Sequence, residues 1–301
     1  MTIDIGHFGI WTMSLDTLPA HDAAGTAAEI ERLGFRALWI PEALGRDPLV
    51  AAALYLGATQ RLTVATGVAT VYARDAFATA YAQRTLAEWF PGRFLLGLGV
   101  SHAPAVAMLR QRDYLPPLAT MREYLDRMDA ATSTAVAPSV PPRRVLAALG
   151  PKMLELAAEK ADGAHPYNVT PEHSARARAA LGPDKLLAPD QKVLLETDPE
   201  VARGIARQRL AGPLTMPNYV NNLRRLGFGD DDFGSGGSDR LVDALVAWGP
   251  IDQIVARLHE HLDAGADHVA INVLAADTTR PPLEQWRALA GALSLGASSA
   301  G

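Results

Sequence analysis

Along this chain the apolar residues arrive in short consecutive runs, such as "FLLGLGV" at 94–100 and "KVLLE" at 192–196, instead of alternating with polar ones. That is the pattern of strands covered by helices on one face and by a barrel interior on the other. Taken in order, the runs predict eight strands, near 6–11, 37–41, 62–68, 94–99, 145–149, 164–168, 192–196 and 268–274. Most are separated by helical spacing. Ile254, Leu258 and Leu262 recur every fourth residue and would share one helix face, and Pro250 suits the start of that helix. The phrases "EIERLGFRALWI", "LAAEKADGAHPYNV" and "HLDAGADHVAINV" each end a helical segment at a glycine and enter a strand. Gly34, Gly163 and Gly265 are therefore expected to close helices in the left-handed conformation.

Repeated units of this kind predict an α/β protein: a single (β/α)8 TIM barrel over residues 1–295, with a doubly wound open sheet as the alternative. The gap from 197 to 267 is too long for one crossover helix, so several helices and an insertion around 211–240 are expected there. Within it, "GFGDDDFGSGGSDR" reads as a solvated loop with Ser238 or Asp239 capping the next helix. Adjacent acids without ligand spacing argue against a metal site. The proline-rich "VAPSVPPRR" reads as an extended approach to the fifth strand, and residues 296–301 as a frayed tail.

Composition narrows the function classes. Of 301 residues, 49% are apolar and 20% charged, which supports a sizeable core. A net charge of -5 argues against nucleic acid or an anionic membrane as a partner. With no cysteine there are no disulfides, thiolate nucleophiles or thiolate metal sites, which suits a reducing cytoplasm. The start "MTIDIGHFGIW" lacks signal-peptide features, and no apolar stretch reaches the roughly 18 residues of a spanning helix. A cytoplasmic protein acting on a small-molecule substrate is expected.

In such a barrel, ligands gather at the carboxyl ends of the strands. Those ends supply Trp11, Glu42, then Gly67, Val68, Ala69 and Thr70, then Gly99, Ser101 and His102, then Gly150, Pro151 and Lys152, and finally His165 to Asn168. In "VATGVATVYARD" a run rich in β-branched residues is broken by Gly67, which makes the backbone itself a candidate binding surface. Gly150, Pro151 and Lys152 open a helix whose unpaired amides and lysine suit a phosphate; the same residues equally make a tight turn with a solvated lysine. Gly99, Ser101 and His102 offer close backbone approach and polar donors, or a capped helix. Neither set matches a dinucleotide or Walker fingerprint. Glu42 and His102 are ionisable and could act as acid or base or orient a ligand. His7 is expected to fill the barrel. His259 and His261, two apart on a helix, point in different directions, so no metal site is expected. Tyr72, Trp89 and Trp248 are expected to pack, and Trp11 to meet a ligand. The stretch "LAGPLTMPNYVNNL" at 210–223 reads as a substrate wall without a charge clamp, favouring an uncharged or hydrophobic compound.

The phrases "LGFRALWIPE", "LTVATGVATVYARD", "RTLAEWFPGRFLLGLGVSH", "LGPKMLELAAEKADG" and "IVARLHEHLDAGADHV" span most of the chain in barrel order. Together they resemble the luciferase-like flavin and deazaflavin oxidoreductases, especially the branch that uses coenzyme F420. The resemblance implies a bacterial luciferase-like (β/α)8 barrel, commonly a homodimer, with the cofactor across the carboxyl ends of the strands. It implies a nonproline cis peptide between Gly67 and Val68, forming a bulge behind the cofactor's central ring. Gly150, Pro151, Lys152, Ser101 and His102 would face the cofactor's phosphate or tail. Trp11, Glu42 and His102 would surround the reacting carbon. Ala43 follows Glu42, which departs from the aspartate and histidine pairing of the sugar-phosphate dehydrogenase members, so their substrate is not carried over. The implied activity is hydride transfer between the deazaflavin C5 and a small organic substrate; the alternative is an FMN-dependent monooxygenase. Two further classes compete: a barrel lyase or aldolase using Lys152 as a Schiff-base amine, and a noncatalytic ligand-binding barrel.

Overall fold

Every predicted run contributes to a parallel strand in the computed structural model, which describes residues 4–277 and 280–296. The strands are β1 (Phe8–Trp11), β2 (Ala37–Ile40), β3 (Thr63–Thr66), β4 (Phe94–Gly99), β5 (Arg143–Leu146) and β6 (Gly163–Ala164). They continue with β7, in two pieces (Leu186–Leu187 and Asp190–Leu194), and β8 (Val269–Val273). Consecutive strands pair in parallel from β1 to β6. The first piece of β7 pairs with β6, the second with β8, and β8 with β1, which closes an eight-membered ring. The expected TIM barrel is therefore the fold, and the open sheet is not.

Some boundaries differ. The sixth strand leaves its ladder after Ala164, two residues before Pro166, which has no backbone donor. The seventh begins at Leu186, earlier than the apolar run, and includes the buried polar residues Asp190 and Gln191. Short strands Ala69–Thr70 and Val246–Trp248 were not expected separately; they lie beside β4 and β7.

Both faces of the strands are buried, for the reason their sequence announced. Phe8, Ile10, Leu38, Ile40, Val64, Leu96 and Ile271 pack under the helices, whereas Trp11, Ala37, Trp39, Ala65, Leu95 and Ala270 fill the barrel. Glycine on the strands makes room for the large side chains inside. A Cβ on Gly9 would lie 2.8 Å from His268 Cε1. Gly34 and Gly265 have positive φ, 94° and 97°, as expected of helix closers. Gly163 does not: it sits in β6, where a Cβ would fall 1.9 Å from the Leu186 carbonyl oxygen, so close strand approach requires the glycine.

His7 is a correction. It precedes β1 and is exposed, with Nδ1 3.2 Å from the Asp267 carbonyl, while the barrel is filled by His165 and His268. Trp39 stacks on His165 at 4.1 Å and donates from Nε1 to His268 Nε2 at 3.0 Å. His268 therefore carries its proton on Nδ1 and donates to the Gly6 carbonyl. Trp89 is a second correction: it is 65% exposed and stacks on neighbouring Phe90.

Between β7 and β8 the chain makes helices Pro199–Leu210, Pro217–Arg225, Asp239–Leu245 and Ile251–Asp263. Leu210, Leu214, Leu223, Leu241 and Val246 form part of a second small core there. Ser238 caps the third helix, accepting from the Leu241 amide. The acidic loop is organised around Asp232, which accepts from the Gly229 amide, the Ser238 hydroxyl and Arg240. The frayed tail falls outside the described residues except for Gly296. Among the described residues, no helix is long and apolar enough to cross a membrane.

The buried histidines predict how stability follows pH. Burial lowers the pKa of His165 and of His268 to about 4 and that of His261 to about 3. His261 is bonded on both nitrogens, to Ser174 Oγ and Gln191 Oε1. The unfolded chain takes up these protons below about pH 6.5, and the folded barrel does so only near pH 4 or below. Stability should therefore be full above pH 6.5 and fall with acidification, by up to roughly 1.4 kcal/mol per pH unit for each histidine. Urea midpoints should be nearly equal at pH 7 and 8 and clearly lower at pH 5; equal midpoints at pH 7 and 5 would contradict the neutral barrel histidines.

Candidate functional site

The strand ends converge on two adjoining cavities. The smaller, about 280 Å³, is lined by Trp11, Glu42, Gly67, Val68, Thr70, Gly99, Ser101 and His102, with Ala147, Leu149, His165, Tyr167 and Tyr219 among its other walls. Most residues singled out in the sequence thus meet at one place. Ala69 does not line it; its side chain is buried in the core between sheet and helices. Gly150, Pro151 and Lys152 follow the lining residue Leu149 and open the helix Pro151–Lys160, where Pro151 and Lys152 are exposed. Arg225 comes close to that turn, since a Cβ on Gly150 would lie 3.3 Å from its Nη2.

The broken run at Gly67 has a local explanation. Regular pairing of β3 stops at Thr66, whose hydroxyl donates to the Gly97 carbonyl at 2.7 Å and accepts from the Gly97 amide at 2.8 Å. The next peptide, Gly67–Val68, is cis, as the resemblance implies. Its flanking groups are held from two strand ends, those of β1 and β2. The Gly67 amide donates to the Ile40 carbonyl at 2.7 Å, Trp11 Nε1 donates to the Gly67 carbonyl at 3.0 Å, and the Glu42 amide donates to the Val68 carbonyl at 3.3 Å. Glycines in β4 leave room for the bulge: a Cβ on Gly97 would fall 2.0 Å from the Thr66 carbonyl oxygen, and one on Gly99 2.7 Å from Val68 Cγ2.

Glu42 is almost wholly engaged. Its side chain, 6% exposed, accepts from the Thr70 amide, from both terminal nitrogens of Arg74 and from Arg110, at 2.9–3.0 Å. That arrangement fixes the loop after β3 and leaves the carboxylate little freedom to take a proton from a ligand. His102 is half-buried, with its ring 5.4 Å from Tyr219. Burial lowers its pKa, opposed by a hydrogen bond to Asn218. It is therefore neutral at neutral pH, able to accept or donate at a ring nitrogen. His165 donates from Nδ1 to the Ala188 carbonyl at 2.6 Å, which leaves Nε2 as a lone-pair acceptor. That atom is buried and has no hydrogen-bond partner among the described residues.

The larger cavity, about 750 Å³, shares Trp11 and Tyr167 with the smaller one and is also lined by Lys192 and Asn272. Of the predicted wall at 210–223, Gly212 and Pro213 line this cavity, while Asn218 and Tyr219 line the smaller one. Asp190 and Lys192, 1% and 3% exposed, form an ion pair at 2.8 Å on the inner face of β7. Sequence reading missed this pair, together with Asn272, Arg74, Arg110 and Arg225. The available signal was "PDQKVLLE", where charged residues begin a strand buried on both faces. Among the described residues, no group of three or more His, Asp or Glu could hold a metal.

Comparisons agree with this architecture. The family model described as luciferase-like monooxygenase matches residues 6–182. A Mycobacterium tuberculosis protein, provisionally named a coenzyme F420-dependent oxidoreductase, is 32% identical over 51% of this chain and 53% of its own. Among solved structures, an F420-dependent secondary alcohol dehydrogenase in complex with an F420-acetone adduct superposes with a TM-score of 0.74, at 13% identity over 98% of this chain and 99% of that one. The oxygenating constituent of 3,6-diketocamphane monooxygenase from Pseudomonas putida, in complex with FMN, gives 0.65, at 15% identity over 95% and 96%. These two likenesses establish the fold. With more than half of its length matched by the family model and the barrel closed as described, the chain belongs to the luciferase-like monooxygenase family.

Proposed function

We propose that this chain is a coenzyme F420-dependent oxidoreductase that moves a hydride between the deazaflavin C5 and a carbon of a small organic substrate. The observation that carries the reading is the cavity at the carboxyl ends of the strands, which gathers Trp11, Gly67, Gly99, His102 and His165 in one wall. The residues there fit a planar heteroaromatic ring. Gly67 and Gly99 keep side chains off the wall, and the unpartnered Nε2 of His165 offers an acceptor to a ring N–H. The helix start at Gly150, with Lys152 and Arg225 nearby, would hold an anionic tail. When bound, the coenzyme supplies the hydride chemistry. Trp11 and Tyr167 stand between the two cavities and would orient ring and substrate, and His102 would hold or take a proton at its ring nitrogen. Glu42 would act by fixing Arg74 and Arg110 beside them.

The relative carrying the F420 name supports this choice, and the FMN-bound neighbour makes an FMN-dependent monooxygenase the second reading. Lys152, exposed and outside both cavity walls, does not favour Schiff-base chemistry. Fluorescence titration of the apoprotein with each cofactor separates the readings. Coenzyme F420 is expected to bind at least about tenfold more tightly than FMN, a difference of roughly 1.4 kcal/mol. Tighter FMN binding would overturn the proposal, and F420 binding without hydride exchange would favour a noncatalytic barrel.

A further inference from the structure

The larger cavity contains a buried charge that the reading above leaves unused. Lys192 Nζ donates to Asp190 Oδ1 at 2.8 Å and stands 3.6 Å from the centre of the Tyr167 ring. Asn272 Nδ2 donates to the other Asp190 oxygen at 2.9 Å, so the carboxylate is satisfied on both sides. An ammonium has three N–H donors. Asp190 takes one and the Tyr167 face can receive a second; among the described residues, no acceptor is found for the third. Taking an ammonium out of water is costly unless its donors are met. A lysine placed in the wall of a 750 Å³ cavity with one donor unmet marks where an acceptor on a ligand belongs.

The charge around that cavity indicates the ligand class. At the point where Lys192 stands, its charge is met by Asp190, so no excess charge is left there to clamp an anion. The remaining wall includes Trp11, Met13, Leu44, Pro213 and Leu274. We infer that Lys192 binds the carbonyl oxygen of a neutral, mostly apolar substrate in this cavity, with Asp190 and Asn272 as positioning residues that fix the ammonium. The inference deepens the oxidoreductase proposal and rests on it for the identity of the reaction. Tyr167 and Trp11, common to both cavities, would then bring the carbonyl carbon beside the ring site.

Three probes of similar size test the assignment by ligand-observed NMR titration: cyclohexanone, methylenecyclohexane and cyclohexanecarboxylate. The natural chain should bind the ketone about tenfold more tightly than the hydrocarbon, the effect expected of one hydrogen bond from a charged donor. In the Lys192→Met, Asp190→Asn double variant, which leaves no buried charge unpaired, that preference should shrink to about twofold or less, with hydrocarbon binding unchanged. No ketone preference in the natural chain, a preference that survives the double substitution, or tighter binding of the carboxylate would each overturn the inference. If the double variant does not fold, the selectivity of the natural chain decides. Titrating the natural chain with coenzyme F420 in parallel separates the two claims: failure there sinks the deazaflavin reading while the ketone selectivity still decides the role of Lys192.

Discussion

Gly67→Ala is expected to lower stability by about 2 kcal/mol and to weaken binding at the smaller cavity at least about tenfold. The added Cβ would lie 2.8 Å from Trp11 Nε1, 3.0 Å from Trp11 Cδ1 and 3.2 Å from His165 Nε2. Neither ring can retreat cheaply. Trp11 is tied to the Gly67 carbonyl by its indole N–H and packs against Tyr167 at 5.4 Å; His165 is sandwiched on Trp39 and bonded to the Ala188 carbonyl. Moving Trp11 would break that hydrogen bond and shift a wall common to both cavities. Gly204→Ala is the control: it lies in the helix Pro199–Leu210 with nothing within 4 Å of its would-be Cβ, so it should stabilise by about 0.5–1 kcal/mol. Urea unfolding and cofactor titration on the two variants give the comparison, and a Gly67→Ala protein that matches the natural chain in both would refute the packing account.

Asp190→Ala should cost more stability, about 3–5 kcal/mol. The substitution leaves Lys192, 3% exposed, as an uncompensated buried ammonium and removes the acceptor of Asn272 Nδ2. Charge repair should recover most of the loss. In the Asp190→Leu, Lys192→Met double variant both charges are gone, and such replacements of buried pairs are often neutral or stabilising. The coupling energy from the cycle of the natural chain, Asp190→Leu, Lys192→Met and their double variant is the diagnostic quantity. A single variant within about 0.5 kcal/mol of the natural chain would show that water reaches the pair.

The sequence carried the barrel and one end of the site, for a reason visible in particular residues. Runs such as Phe94–Gly99 are apolar on consecutive positions because Leu95 faces the interior while Leu96 faces helices, and that double burial is written directly in the chain. Gly67 was legible in the same way, as a glycine where a β-branched run required none. Trp11, Glu42 and His102 were placed at strand ends by topology alone, and they do line one cavity.

Roles within the cavity were another matter. That Glu42 is occupied by Arg74 and Arg110, 32 and 68 positions away, depends on the curl of the barrel bringing loops together. His7 and His268 look alike in sequence, each just before a strand, but only His268 is folded inward, where Trp39 meets it from 229 residues away. Asp190 and Lys192 lie two apart, so alternation along a strand puts them on one face, but whether that face meets solvent or the interior is set by ring closure between β6 and β8. The chain's local periodicity thus determined which segments become strands and helices, since each pattern is satisfied by its own neighbours. Tertiary closure decided which polar groups are buried, and with what partners, because those energies depend on atoms that the sequence separates by tens to hundreds of residues.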